Sequence, residues 1–177
     1  MRFQRIRASL RSESGIGLVE LLIAMTILSI AISAQLGVFT SSFLSIQRVS
    51  LRGTATALAD KQMEIYRTVD YTCIYLTSGT GDSTYSGDSA YSGSQVIGTS
   101  CSPATAPPTA ATTPSQSVTG PDGRTYRVDT YIVTFTPTSG RQEKQVTVVV
   151  RRVDNSTVGA VLARESSTFD QANPPSS

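Results

Sequence analysis

Between Glu20 and Arg48 the chain carries no charged residue. Leu21–Gln47 is rich in Leu, Ile, Ala and Val, and no Pro occurs before Pro103. Such a run makes a helix that is apolar all round, which a small water-soluble domain cannot cover. Its most apolar part, Leu18–Phe39, would be about 33 Å long as a helix at roughly 1.5 Å per residue. A bilayer core is about 30 Å thick. A cleaved secretory signal has an apolar region of only about 7–15 residues and then a small-x-small site. The length therefore argues for a retained membrane segment. Arg2, Arg5, Arg7 and Arg11, against Glu13, give residues 1–15 a net charge of +3, and they place the N-terminus on the cytoplasmic side. The whole chain is only +2, so the remainder is slightly acidic overall and general nucleic-acid binding loses its support.

Composition narrows the chemistry. The chain has no His, no Trp and two Cys. Ser-His-Asp, Cys-His and four-Cys zinc designs are thereby removed. Gly79-Thr80-Gly81 lacks the Lys of a phosphate loop. Asp82 and Asp88 lack the alternating oxygen ligands of an EF-hand and read as solvated loop carboxylates. The expectation is a chain without catalysis, resident metal or cofactor.

Glu20 disturbs the reading of a plain anchor. A carboxylate deep in a membrane helix costs about 2.5–3.5 kcal/mol and calls for a cation. Cleavage after Gly15 would supply one, a free amine on Ile16, with Glu20 the fifth residue of the processed chain. Gly15-Ile16-Gly17-Leu18-Val19-Glu20-Leu21-Leu22 resembles the N-terminal motif of type IV pilins and type II secretion pseudopilins. That family has a short basic leader, Gly at its last position, an apolar first mature residue and Glu at the fifth. The resemblance covers roughly residues 9–45. Ile16 stands where Phe or Met is commoner, and Gly17 where Thr or Ser is usual.

The resemblance implies a leader over 1–15 removed by a prepilin peptidase at Gly15–Ile16, N-methylation of Ile16, and assembly through Glu20 paired with a neighbour's amine. It implies a long helix over 16–66, of which 18–39 crosses the inner membrane once, with the C-terminal domain extracytoplasmic. The implied partners are other pilin or pseudopilin subunits, the peptidase, inner-membrane assembly machinery and membrane lipid. Assembly would carry the chain into a surface pilus or a periplasmic pseudopilus. Ala57-Leu58-Ala59-Asp60-Lys61-Gln62-Met63-Glu64 resembles the helix of minor subunits. Two alternatives stay open: a DNA-uptake competence pilin, and an anchored binding domain that never polymerises. Calcium in a loop also stays open, since some pseudopilins bind it.

Beyond the membrane segment, Ile23, Ile30, Gly37, Leu44, Leu51, Leu58 and Ile65 recur every seven residues, and Arg48, Arg52, Asp60, Lys61 and Glu64 flank them. This predicts an amphipathic helix with Leu51, Leu58 and Ile65 facing a core. Gly37 is either a weak point in the helix or a site of close helix packing. Residues 67–120, with their Gly-, Ser-, Thr- and Pro-rich stretches, read as a variable loop without a core. Cys73 and Cys101 bracket part of it and predict a disulfide on the outer side of a membrane; two buried free thiols are the rival. Tyr71, Tyr75, Tyr85 and Tyr91 suggest a contact surface. An antiparallel meander is expected over 121–170: Gly120-Pro121-Asp122-Gly123 as a turn, then strands at Arg124–Thr136, Lys144–Arg152 and Ala160–Phe169, with residues 171–177 a loose tail. The basic residues among these strands, Arg127 and Arg151 included, read as a solvated sheet face. The fold class is α+β, a long N-terminal helix packed on a small antiparallel sheet.

Overall fold

The computed structural model describes residues 17–99, 101, 111–138 and 140–171. The expected leader, all of the tail beyond Gln171, and residues 102–110 lie outside them. The chain divides into two units, Met1–Ile46 and Gln47–Ser177. Helix α1, Leu18–Arg67, contributes to both. Straight-chain and apolar residues without Pro favour it throughout. It ends where Thr68 folds back and donates from both its backbone N–H (3.2 Å) and its hydroxyl (2.8 Å) to the carbonyl of Ile65, one of the groups a helix end leaves open.

In the second unit α1 packs on a four-stranded antiparallel sheet of order β1-β2-β3-β4, built from Ser115–Thr119, Thr125–Phe135, Glu143–Asp154 and Thr157–Asp170. The first of these strands was not expected. Val118 is the only apolar residue in Ser115-Gln116-Ser117-Val118-Thr119, so the alternation that marks a strand is missing. Its pairing partner supplies what its composition does not. Gly120–Gly123 closes a hairpin that sets Thr119 against Thr125. Gly123 donates to Gly120 (3.0 Å) and has φ of +71°, a conformation that favours glycine. The β3–β4 hairpin turns at Asn155 and Ser156, both with positive φ, as tight two-residue hairpins require.

The helix face that is covered differs from the one the seven-residue repeat marks. Ala55, Ala59, Gln62, Met63 and Tyr66 are buried, and Leu51 and Leu58 pack at the margin. Ile65 is only partly covered. A straight helix drifts against a strict seven-residue repeat, and the two alanines let the sheet come close. Tyr126, Val128, Ile132, Val146, Val148 and Val150 meet this face. Gln62 lies within it and is satisfied: its Nε2 donates to the Ala111 carbonyl (2.8 Å) and its Oε1 accepts from Gln116 Nε2 (2.8 Å).

The region expected to be a coreless loop contributes to both faces of the sheet. After a 3-10 turn at Tyr71–Cys73 the chain adds Ile74 and Leu76 to the helix-side core, then forms a one-turn helix, α2, at Ser83–Ser86, which reaches the opposite face. Tyr85 is fully buried rather than part of a contact surface. Its ring stacks on Tyr131 at 4.4 Å, and its hydroxyl donates to the Thr130 carbonyl at 2.7 Å. Gln95 Oε1 then accepts from the Ile132 N–H (2.8 Å), and the Val96 N–H donates to the Ile132 carbonyl (2.8 Å). The segment thus continues the edge of β2 beyond the end of β1. Gly, Ser and Tyr suit this because the tyrosines bring both area and a polar tip.

Cys73 is bonded to Cys101, with Cα atoms 5.2 Å apart. Lys144 holds the same corner. Its Nζ donates to the carbonyls of Tyr71 (2.7 Å) and Ile74 (2.8 Å) and lies 4.5 Å from the centre of the Tyr71 ring, and burial pushes its pKa below the usual lysine range. In the chain-entropy account, closing this loop is worth roughly 3.6 kcal/mol. Cys73→Ser with Cys101→Ser is therefore expected to lower unfolding stability by about that amount in denaturant titrations. Neither Cys73 nor Cys101 of the unreduced native chain should react with an alkylating reagent.

Candidate functional site

Two places gather the side chains of interest, one in each unit. The first is the start of α1. The Gly17 carbonyl accepts from the N–H of Glu20 (2.9 Å) and of Leu21 (3.2 Å), which opens the helix. Glu20 is the acidic residue of that first turn. There the positive end of the helix dipole favours a carboxylate by about 0.3–1 kcal/mol. The burial cost in a membrane, about 2.5–3.5 kcal/mol, is larger. Gly15 and Ile16, the residues expected to be cut and methylated, lie outside the described residues.

From Leu18 to Ile46 the large apolar residues are exposed, Leu18 by 75% and Phe39 by 72%. Water tolerates no such surface on an isolated chain. A bilayer does, provided every polar group is satisfied within the helix. The hydroxyls of Thr26, Ser29, Ser33, Thr40 and Ser41 meet that condition by donating to carbonyls three or four residues back, at 2.7–3.2 Å. The helix is long and apolar enough to cross a membrane, with a mean hydropathy of 2.1 in its most apolar window. A Cβ added to Gly37 would meet nothing within 4 Å in this subunit.

The second place is a charged cluster on the face of the sheet that carries Tyr131. Asp129 is fully buried in β2. It accepts from Arg127 Nε (2.7 Å), Arg151 Nη1 (2.5 Å) and the Ser115 hydroxyl (2.5 Å). Arg127 reaches on to Asp82, which also accepts from the N–H groups of Thr84 and Tyr85 and so caps α2. Arg151 reaches on to Asp88, which also takes Arg164 at 2.7 Å. The solvated reading fails here for Arg127, Arg151 and Asp88, since all three side chains are at most 10% exposed. Asp82 remains half exposed. Its hydrogen bonds from Arg127 hold its carboxyl well below the usual range. Burial alone would raise Asp88, but the Ala90 N–H and the Arg164 and Arg151 guanidiniums outweigh it and leave its pKa lowered.

This cluster fastens the Cys73–Cys101 segment to the sheet through two carboxylates of that segment. A sequence signal for it existed. Arg127, Asp129 and Tyr131 alternate in phase on β2, opposite to the apolar set, so charge stands where a strand in water would need none. Among the described residues no group of three or more His, Cys, Asp and Glu could hold a metal ion.

A looser contact joins α1 to β4. Glu165 accepts from Arg67 at 3.3 Å and lies beside Asp60. Burial, and then the neighbouring Asp60 carboxylate, raise the Glu165 pKa above its ordinary 4.5, while Arg67 pulls it back. A carboxyl raised in the folded state adds stability below its unfolded value and loses it as pH climbs through the folded value. Glu165→Gln should therefore be increasingly stabilising relative to the unmodified chain as pH is taken upward from 4.5, in melting midpoints measured across pH. A second expectation concerns the buried cluster. Asp129→Ala removes the carboxylate between two buried guanidiniums, which then keep only Asp82 and Asp88 at their outer ends, and should lower unfolding stability by about 3–5 kcal/mol in denaturant titrations.

The family model for the prokaryotic N-terminal methylation motif matches residues 10–34. No curated protein and no solved structure matches the chain. The matched stretch contains Gly15, Ile16 and Glu20 and the first part of the exposed apolar helix. An N-terminal apolar helix of this kind fits a single-pass membrane-anchored protein. The chain carries at its N-terminus the signature of type IV pilins and pseudopilins, the substrates of prepilin peptidase.

Proposed function

We propose that this chain is a minor pilin or pseudopilin, a structural subunit of a type IV pilus-like filament whose work is assembly rather than catalysis. The observation that carries the reading is the methylation motif over residues 10–34, with Glu20 inside an otherwise uncharged run. The leader holds the precursor in the inner membrane with its C-terminal domain outside the cytoplasm. Cutting between Gly15 and Ile16 frees the Ile16 amine, which is then N-methylated. Glu20 pairs with that amine on an adjacent subunit, and two costly charges neutralise each other as the apolar helices stack away from water.

Intact-mass analysis of the protein from membranes should show the loss of residues 1–15, with one methyl added to Ile16. Retention of Met1–Gly15 in cells with an active prepilin peptidase would end the reading. Glu20→Leu should be cut normally and yet be depleted from sheared surface filaments relative to the processed pool in the membrane. Equal incorporation of the variant would remove Glu20 from the assembly step.

A further inference from the structure

The end of the second unit at which α1 enters carries arginine that the ion pairs of the domain do not use. Arg48 and Arg52 are four residues apart, hence neighbours on one side of α1, and both are exposed. The β1–β2 turn reaches the same end, since a Cβ added to Gly120 would lie 3.0 Å from Thr54 Cγ2. That turn brings Arg124, which is also exposed. None of the three has an ion pair among the described residues. Arg152, opposite Tyr126 in the register, lies at this end too. Of the carboxylates there, Asp154 pairs with Arg152, while Asp122 accepts from the Tyr126 hydroxyl at 2.7 Å and offsets part of the Arg124 charge without forming an ion pair with it.

The sequence sets what this end adjoins. Arg48 follows Ile46, the last residue of the apolar unit, by two positions, and Val49 beside it is 67% exposed. Arginine on this flank does nothing for orientation, because the four arginines before residue 12 already set it and a basic outer flank works against them. A guanidinium instead suits the interface itself. Its stem lies along apolar surface, and its planar fork matches two phosphate oxygens. We infer that Arg48, Arg52 and Arg124 form a basic collar that binds the phosphate headgroups of anionic phospholipid at the membrane surface where α1 emerges, and so fixes the depth of the subunit before assembly. The inference rests on the reading of the first unit as a membrane span. It commits to lipid over nucleic acid because the cluster is small and adjoins the apolar run.

The test uses the full chain reconstituted in nanodiscs containing phosphatidylcholine and phosphatidylglycerol, with the lipids retained by the protein counted by native mass spectrometry. The unmodified chain should retain phosphatidylglycerol beyond its share of the disc. Each of Arg48→Gln, Arg52→Gln and Arg124→Gln should lower that preference by roughly fivefold. Arg48→Lys with Arg52→Lys, which keeps the charge and loses the planar fork, should fall between the unmodified chain and the Gln variants. The melting midpoint of the domain serves as the control for folding, and these exposed changes should leave it in place. A preference that is absent in the unmodified chain, or unchanged in the triple Gln variant, overturns the collar whatever the processing assay returns. Two further results overturn it in favour of another partner: arginine-dependent binding of duplex DNA without any lipid preference, and loss of filament incorporation with lipid retention intact, which would assign the arginines to carboxylates of a neighbouring subunit.

Discussion

Burying a carboxyl group in a β-sheet is costly unless hydrogen-bond donors and cations reach it, and Asp129 is fully buried. Arg127 and Arg151, on adjacent strands and paired in register, approach it from the same face. Their own charge then needs covering, and Asp82 and Asp88 supply it. Both carboxylates belong to the segment between Cys73 and Cys101. One buried charge thus fixes where a Gly- and Ser-rich stretch must lie. It also explains how residues with little apolar content cover a sheet face: they bring counter-charge and tyrosine rings in place of aliphatic bulk.

The two units solve opposite problems. Among its described residues the first exposes its large apolar side chains and turns the hydroxyls of Thr26, Ser29, Ser33, Thr40 and Ser41 back on the helix, which suits lipid or other helices. The second buries both faces of β2 and β3 and pairs the charges it buries around Asp129. Helix α1 serves both because its sequence changes character near Arg48. Before that point its apolar residues ring the whole surface; after it they narrow to a stripe interrupted by alanines and Gln62.

The long helix, the later three strands and their turns were legible because each has a strong local pattern. Leu21–Gln47 has no charge, Val146, Val148 and Val150 alternate, and Gly120-Pro121-Asp122-Gly123 and Asn155 mark the turns. The motif around Gly15 and Glu20 was legible for the same reason: its spacing is local. What escaped depends on contacts between residues far apart in sequence. Strand β1 is polar and exists through its pairing with β2. The burial of Tyr85 depends on Tyr131, 46 residues later. Asp88 looked solvated because its arginines, Arg151 and Arg164, are distant in the chain. The core face of α1 was displaced because Ala55 and Ala59, weak hydrophobic signals, are the residues a close sheet selects.

The fastening of the Cys73–Cys101 segment has a consequence for variation. Its ends are tied by the disulfide and by Lys144, and its middle by Asp82, Asp88 and Tyr85. Between those ties one position is open: Gly93 is exposed, and a Cβ there would meet nothing within 4 Å. Gly93 is therefore a place on the surface of the domain where a side chain can be added without a clash, while Ser92 next to it helps hold Gln95 against β2.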